Sequence, residues 1–118
     1  MKIEKEDLLD FNIIQGLKEL GNDVDNSFLT EVIDLYLEQA PGLIMNMKKQ
    51  FEGKNSLKMS QEAHALKGAS LNIGAKKLSE ICKSIELKGK ADDLEGIPEL
   101  IKELDEVYEI SGVELKKL

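Results

Sequence analysis

The residues best suited to chemistry lie in one short segment, AHALKGAS at positions 63–70, which contains the only histidine of the chain, His64. Lys67 follows it by three residues and Gly68 by four, so a helix would place all three on one face. An interior glycine costs a helix about 1 kcal/mol relative to alanine, and open access to the imidazole would compensate for that cost. An ammonium beside the same space suits an anion on a neutral imidazole. Together the three residues predict a site for phosphate on His64.

The same helical face extends in both directions from the histidine. We predict that it points outward, because the apolar positions at 59, 63, 66, 70 and 73 form a stripe on the opposite side. Four further residues share the face and are predicted to contact a partner: Leu57, Ser60, Gln61 and Leu71. Simpler interpretations remain open for each residue of the face: a surface histidine without function, a solvated lysine, or a glycine kept for close helix packing.

The elements that position this face are predicted to be helices. Apolar residues recur every three or four positions in five stretches, at 8–20, 27–51, 56–73, 75–87 and 93–118. Pro41 predicts a kink or two abutting helices in the second stretch, and Asp92 with Glu95 has the spacing of a capping box before the fifth. Short connections favour antiparallel neighbours, so the sequence predicts an all-α, up-and-down bundle in a single domain, 1–118.

Composition and charge exclude several classes of function. The net charge is −7 and all sixteen basic residues are lysine; nucleic acid and anionic membrane surfaces are therefore disfavoured as partners. No apolar run approaches the roughly 20 residues of a membrane-spanning helix. A single cysteine, Cys82, allows no internal disulfide, and one cysteine with one histidine cannot build a structural zinc site. Cys82 lies on an apolar stripe and is predicted to be a core residue of a reduced, cytoplasmic protein.

The segment AHALKGAS, followed by GAKKL and CKSIE, resembles the histidine-containing phosphotransfer (HPt) domain of multistep phosphorelays. This resemblance implies an antiparallel four-helix bundle with an additional short N-terminal helix as a lid at one end. It also implies that His64 is the phosphoacceptor, that Lys67 contacts phosphoryl oxygens, and that Gly68 keeps the approach open. Glu86 falls where a Gln or Glu of the neighbouring helix often lies near the histidine.

The sequence departs from the family pattern at a few positions. Ala69 replaces the first residue of the usual Ser-Ser pair, which removes a possible hydroxyl contact but keeps the position small. Lys88 and Lys90 lie where the family often has arginine. Neither departure affects His64 or Lys67.

The function expected from the site and the resemblance is that of a phosphocarrier, not an enzyme. His64 would accept a phosphoryl group from a receiver-domain aspartyl phosphate and pass it to the receiver domain of another response regulator. A hybrid histidine kinase is a further candidate partner. Mg²⁺ is expected on the receiver, and no cofactor on this chain, which we expect to be monomeric and complete. A kinase fragment is disfavoured, because Ala65 follows the histidine where kinases have an acidic residue and the chain has no glycine-rich ATP-binding segment.

Two alternatives stay open at this stage. The chain could be a helical protein–protein interaction adaptor whose histidine is incidental. It could also be the phosphotransfer domain cut from a larger chemotaxis-type or hybrid histidine kinase, since the motif of such domains is similar.

Overall fold

The fold is an antiparallel bundle of four helices, with two shorter helices before it. The computed structural model describes residues 4–21 and 27–118 and has no strand in this part of the chain. The helices are α1 (Lys5–Leu8), α2 (Phe11–Gly21), α3 (Ser27–Glu52), α4 (Ser56–Ile73), α5 (Lys76–Lys90) and α6 (Ile97–Lys116). The bundle consists of α3 to α6. The predicted all-α fold is confirmed, although the N-terminal segment forms two helices where one was expected. No helix in the described ranges is both long and apolar enough to cross a membrane.

The core follows the apolar periodicity of the sequence. In α4 the buried apolar residues are Met59, Ala63, Leu66 and Ile73, and in α5 they are Leu78, Ile81, Cys82 and Ile85. Their spacing of three or four places one stripe of each helix against its neighbours. Burial raises the pKa of the Cys82 thiol to about 12, which agrees with its predicted place in the core and keeps it in the unreactive thiol form.

Helices α4 and α5 lie very close together near the start of α4. A Cβ atom on Gly89 would lie 2.7 Å from the backbone oxygen of Ser56 and 2.8 Å from the Cβ of Ser60. Only glycine therefore fits at position 89 without moving the helices apart. The same contact covers Ser60, which is 1% exposed. The prediction that Ser60 belongs to the exposed docking face is therefore wrong, because α5 packs over it.

The turn between α4 and α5 also anchors the N-terminal helices. Gly74 ends α4 with a φ of +81°, a conformation that favours glycine. Its carbonyl accepts a 2.7 Å hydrogen bond from the backbone N–H of Asp10, which precedes α2. The Asp10 side chain in turn accepts from the N–H of Asn12 at 3.0 Å, capping the first turn of α2. These bonds place the N-terminal helices over the α4–α5 turn, at one end of the bundle.

Two local predictions were inaccurate. Helix α3 continues through Pro41 as one helix, so the alternative of two abutting helices is wrong. Helix α6 begins at Ile97, four residues later than predicted. Asp92 does not cap it, because Asp92 has a φ of +54° and its carboxylate accepts a hydrogen bond from the Ser56 hydroxyl. Lys88 instead secures the loop before α6, donating to the Glu95 carbonyl at 2.9 Å.

Gly89→Ala should destabilise the fold by about 1–3 kcal/mol, because the added methyl overlaps the backbone of α4 and the helices must separate. Gly42→Ala is the control, since a Cβ at Gly42 has no neighbour within 4 Å; removing that helical glycine should stabilise by up to about 1 kcal/mol. Urea unfolding followed by circular dichroism measures both. Equal stability of the two variants would contradict the close contact between α4 and α5.

Candidate functional site

The candidate site lies between α4, which carries His64, and α5, which carries Glu86. His64 Nδ1 lies 2.9 Å from Glu86 Oε2. The two side chains differ sharply in exposure: the imidazole is 67% exposed, whereas the carboxylate is 4% exposed. The structure therefore places Glu86 beside the histidine, as the family resemblance implies. The imidazole thus has one nitrogen held by a buried group while its ring faces solvent.

Glu86 also pairs with two ammonium groups. Lys67 Nζ lies 2.7 Å from Oε1, and Lys90 Nζ lies 3.1 Å from Oε2. These contacts hold the pKa of Glu86 at about 2, below its ordinary value of 4.5. Lys67 makes the largest contribution to this lowering of the pKa. Burial raises the pKa of the carboxyl group, but the contacts with Lys67, Lys90 and His64 together outweigh that effect. The buried carboxylate is therefore ionised at neutral pH.

The ionised carboxylate fixes the tautomer of the histidine. An ionised carboxylate can only accept hydrogen bonds, so the proton of a neutral imidazole must lie on the nitrogen that faces it. In His64 this nitrogen is Nδ1. The lone pair is then on Nε2, the ring nitrogen that does not contact Glu86. In this tautomer Nε2 has the free lone pair that a nucleophile requires.

Gly68 leaves the approach to His64 open. A Cβ atom at this position would have no neighbour within 4 Å, so the alternative that Gly68 serves close helix packing is contradicted. Leu57, Gln61 and Leu71 are exposed on the same helix, as predicted. Three of the four proposed docking residues thus share an accessible surface with His64. Their contact with a partner stays a prediction.

Sequence reasoning missed two features of the site. Lys90 was noted only as a departure from arginine, although its spacing of four residues from Glu86 could have suggested an ion pair. The second is a feature of the neighbouring surface, not lined by His64, Lys67 or Glu86: a shallow apolar groove between α3 and α4, lined in part by Leu35 and Ala69. Leu35 is exposed at this groove. Within 4–21 and 27–118, no group of three acidic, histidine or cysteine side chains could hold a metal ion.

Comparison with families and curated proteins gives consistent matches. The model of the Hpt domain family matches residues 31–110. Multistep phosphorelay regulator 1 of Schizosaccharomyces pombe is 30% identical over 101 residues, which are 86% of this chain and 34% of that protein. Histidine-containing phosphotransfer protein 2 of Arabidopsis thaliana is 30% identical over 105 residues, covering 86% of this chain and 67% of the relative. The chain thus spans about a third of the first relative and two thirds of the second.

Solved structures share the fold. Histidine-containing phosphotransfer protein B from Pseudomonas aeruginosa superposes with a TM-score of 0.83 at 21% identity, covering 92% of this chain and 91% of the other. The phosphotransfer protein MtHPt2 from Medicago truncatula gives a TM-score of 0.85 at 25% identity, covering 96% and 78%.

The buried Glu86 should make stability depend on pH in the acidic range. Because its folded-state pKa is depressed, its ion pairs stabilise the fold above about pH 4.5 and are lost as pH falls toward 2. Glu86→Gln should therefore lower the free energy of unfolding by about 1–3 kcal/mol at pH 7, and the difference from the natural protein should shrink toward pH 2. Glu106→Gln, an exposed change on α6, is the control. Urea unfolding between pH 2 and 7 measures this, and a pH-independent difference would contradict it.

Proposed function

This chain belongs to the Hpt domain family, and from that premise we propose that it is a phosphocarrier of a phosphorelay. His64 accepts a phosphoryl group from the aspartyl phosphate of a receiver domain and passes it to the receiver domain of another response regulator. The observation that carries the proposal is the 2.9 Å contact of Nδ1 with the buried Glu86, which leaves Nε2 of an exposed imidazole as the nucleophile. The two relatives described above are named for a phosphorelay and for histidine phosphotransfer.

The transfer requires little of this chain beyond orientation and charge. The Nε2 lone pair attacks phosphorus, an N–P bond forms, and the bond from phosphorus to the aspartyl oxygen breaks, which returns that carboxylate to the receiver. Nδ1 keeps its proton throughout, because Glu86 accepts from it. Lys67 contacts the phosphoryl oxygens, where a charge-assisted bond is stronger than a neutral one. Transfer onward to a second receiver reverses these bond changes.

The partners supply the remaining groups. The receiver contributes its aspartate pocket, a lysine and Mg²⁺, so this chain needs no cofactor or metal of its own. It acts as a carrier, not as a kinase, and a hybrid histidine kinase is a further candidate source of phosphate. We take the monomer as its working state, since the exposed face around His64 suits a transient partner. The cytoplasmic location stays a prediction based on the single cysteine.

His64→Gln should abolish phosphoryl acceptance and leave circular dichroism and melting nearly unchanged, because the imidazole is largely exposed. The measurement is transfer of acid-labile, base-stable label from a phosphorylated receiver, with ATP alone as a parallel reaction. Label from the receiver supports a carrier. Label from ATP alone would identify a kinase, and absence of label in both reactions would favour a helical adaptor. Label on His64→Gln would place the acceptor elsewhere.

Gly68 separates docking from folding. Gly68→Ala should stabilise the helix by up to about 1 kcal/mol, and Gly68→Gln should also fold, because the space beside Gly68 is open. Transfer from a receiver should fall steeply with glutamine and less with alanine, since the larger side chain stands over His64. Labelling by phosphoramidate, a small donor, should suffer less than transfer from a receiver. Melting curves and transfer time courses measure these effects. A folded Gly68→Gln with normal receiver transfer would contradict the docking face.

A further inference from the structure

The two oxygens of Glu86 are divided between different cations. Oε1 is contacted by Lys67 at 2.7 Å, whereas Oε2 is contacted by Lys90 at 3.1 Å and by the Nδ1 of His64 at 2.9 Å. A carboxylate that is 4% exposed cannot rely on water and requires compensating partners. Glu86 therefore has one ammonium on each oxygen.

Phosphorylation of His64 would introduce a competing anion. A phosphoryl group carries about −1.5 to −2 charge near neutral pH, and it would be attached one helical turn from Lys67. The Lys67 ammonium, whose side chain is 24% exposed, is held by Glu86 in the unphosphorylated protein. It cannot neutralise both anions fully. If Lys67 moved without replacement, an ionised buried carboxylate would lose its shortest ion pair.

We propose that Lys67 is transferred from Glu86 to the phosphoryl group when His64 is phosphorylated, and that Lys90 is the positioning residue that then compensates Glu86. This inference rests on the proposed function, because it concerns the phosphorylated state of the same histidine. Lys90 acts through Lys67 and does not touch the phosphoryl group. Lys90 thus determines whether the ammonium of Lys67, the more buried of the two lysines, can leave the Glu86 carboxylate.

The position of Lys90 fits this role. Its side chain is 60% exposed and extends from α5 one turn after Glu86, so it reaches the carboxylate from the solvent side. A lysine ammonium is a compact charge on a flexible stem with three donors, and can shift from Oε2 to bridge both oxygens. Lys67 approaches from the other helix, α4, which also carries His64. The cation on the histidine's own helix is thus the one that the phosphoryl group can attract.

The test compares two lysine substitutions on α5. Lys90→Met removes the proposed compensating charge, while Lys83→Met removes the same charge from another exposed position of that helix. With Lys90→Met, Lys67 should stay on Glu86. The equilibrium constant for transfer from a receiver to His64 should then fall by about three- to tenfold, the scale of one net intramolecular hydrogen bond. The lifetime of phosphohistidine should shorten as well. Lys83→Met should change both by less than about twofold, and Lys90→Arg should restore both.

The Glu86→Gln background tests whether Lys90 acts by compensating the charge of Glu86. If Lys90 had only a structural role, the effect of Lys90→Met would be the same with glutamate or glutamine at position 86. Glutamine carries no charge to compensate, so Lys67 should be released and Lys90→Met should lose its effect in that background. The lifetime of phosphohistidine in Glu86→Gln and in the double variant should agree within about twofold. Equal behaviour of Lys90→Met and Lys83→Met would overturn the inference. So would an effect of Lys90→Met that persists undiminished with glutamine at position 86.

The two proposals can fail separately. Phosphoramidate labels an exposed imidazole without a receiver, so the lifetimes of phosphohistidine in all variants can be measured without any relay partner. If the lifetimes follow the predicted pattern but no receiver exchanges phosphate with His64, the phosphocarrier proposal fails and the exchange of cations stands. If receivers exchange phosphate but the lifetimes do not depend on Lys90, the exchange of cations is wrong and the carrier function stands.

Discussion

A buried carboxylate between two helices is the interaction on which the rest of the site depends. Glu86 is ionised in spite of its burial because lysines from both helices and the histidine pair with it. The same charge fixes the proton of His64 on Nδ1, keeps Lys67 in place, and links α4 to α5. Without it no carboxylate would hold the proton of the neutral imidazole on Nδ1. The tautomer of the exposed imidazole is thus determined by the buried carboxylate that contacts its Nδ1.

The packing of α4 against α5 makes this interaction possible. Because Gly89 has no side chain, the end of α5 approaches the start of α4 so closely that a Cβ at position 89 would lie 2.7 Å from the backbone oxygen of Ser56. At that separation the Glu86 carboxylate reaches the histidine and Lys67 on the facing helix. The opposite end of the same helix pair is closed at Gly74, whose carbonyl holds the N-terminal helices through Asp10. The pair of helices that bears the site is therefore fixed at both ends.

Sequence reasoning was most successful where the relevant spacing is local. His64, Lys67 and Gly68 share a face because three and four residues make one turn of a helix, and the open space at Gly68 could be expected from its cost to the helix. Ser60 was misplaced for the opposite reason: the glycine that lets α5 cover it lies 29 positions later in the chain. The periodicity of one helix does not show what packs on its edge.

Glu86 illustrates the same limit. Its place beside the histidine was implied by the family resemblance and not by the residues themselves, because a glutamate on an amphipathic helix is ordinarily solvated. The spacing of Lys90 from Glu86 is visible in the sequence, but its importance depends on the burial of the carboxylate. The start of α6 was misjudged because the Asp92 carboxylate accepts a hydrogen bond from the hydroxyl of Ser56, the first residue of α4, which lies 36 positions earlier in the chain.

The edge of α4 that is covered by α5 tolerates fewer amino-acid substitutions than the edge that faces solvent. At Ser60 an added side chain atom would meet α5, so any larger residue there would disturb the spacing on which Glu86 depends. At Leu57, Gln61 and Leu71 side chains extend into solvent, and exchanging them alters only what an incoming surface would meet. Substitutions at these three positions would therefore change the surface around His64 without changing the contact of the imidazole with Glu86. A duplicated copy of this chain could therefore come to bind a different partner through a few surface substitutions, with the contacts of His64 kept at every intermediate step.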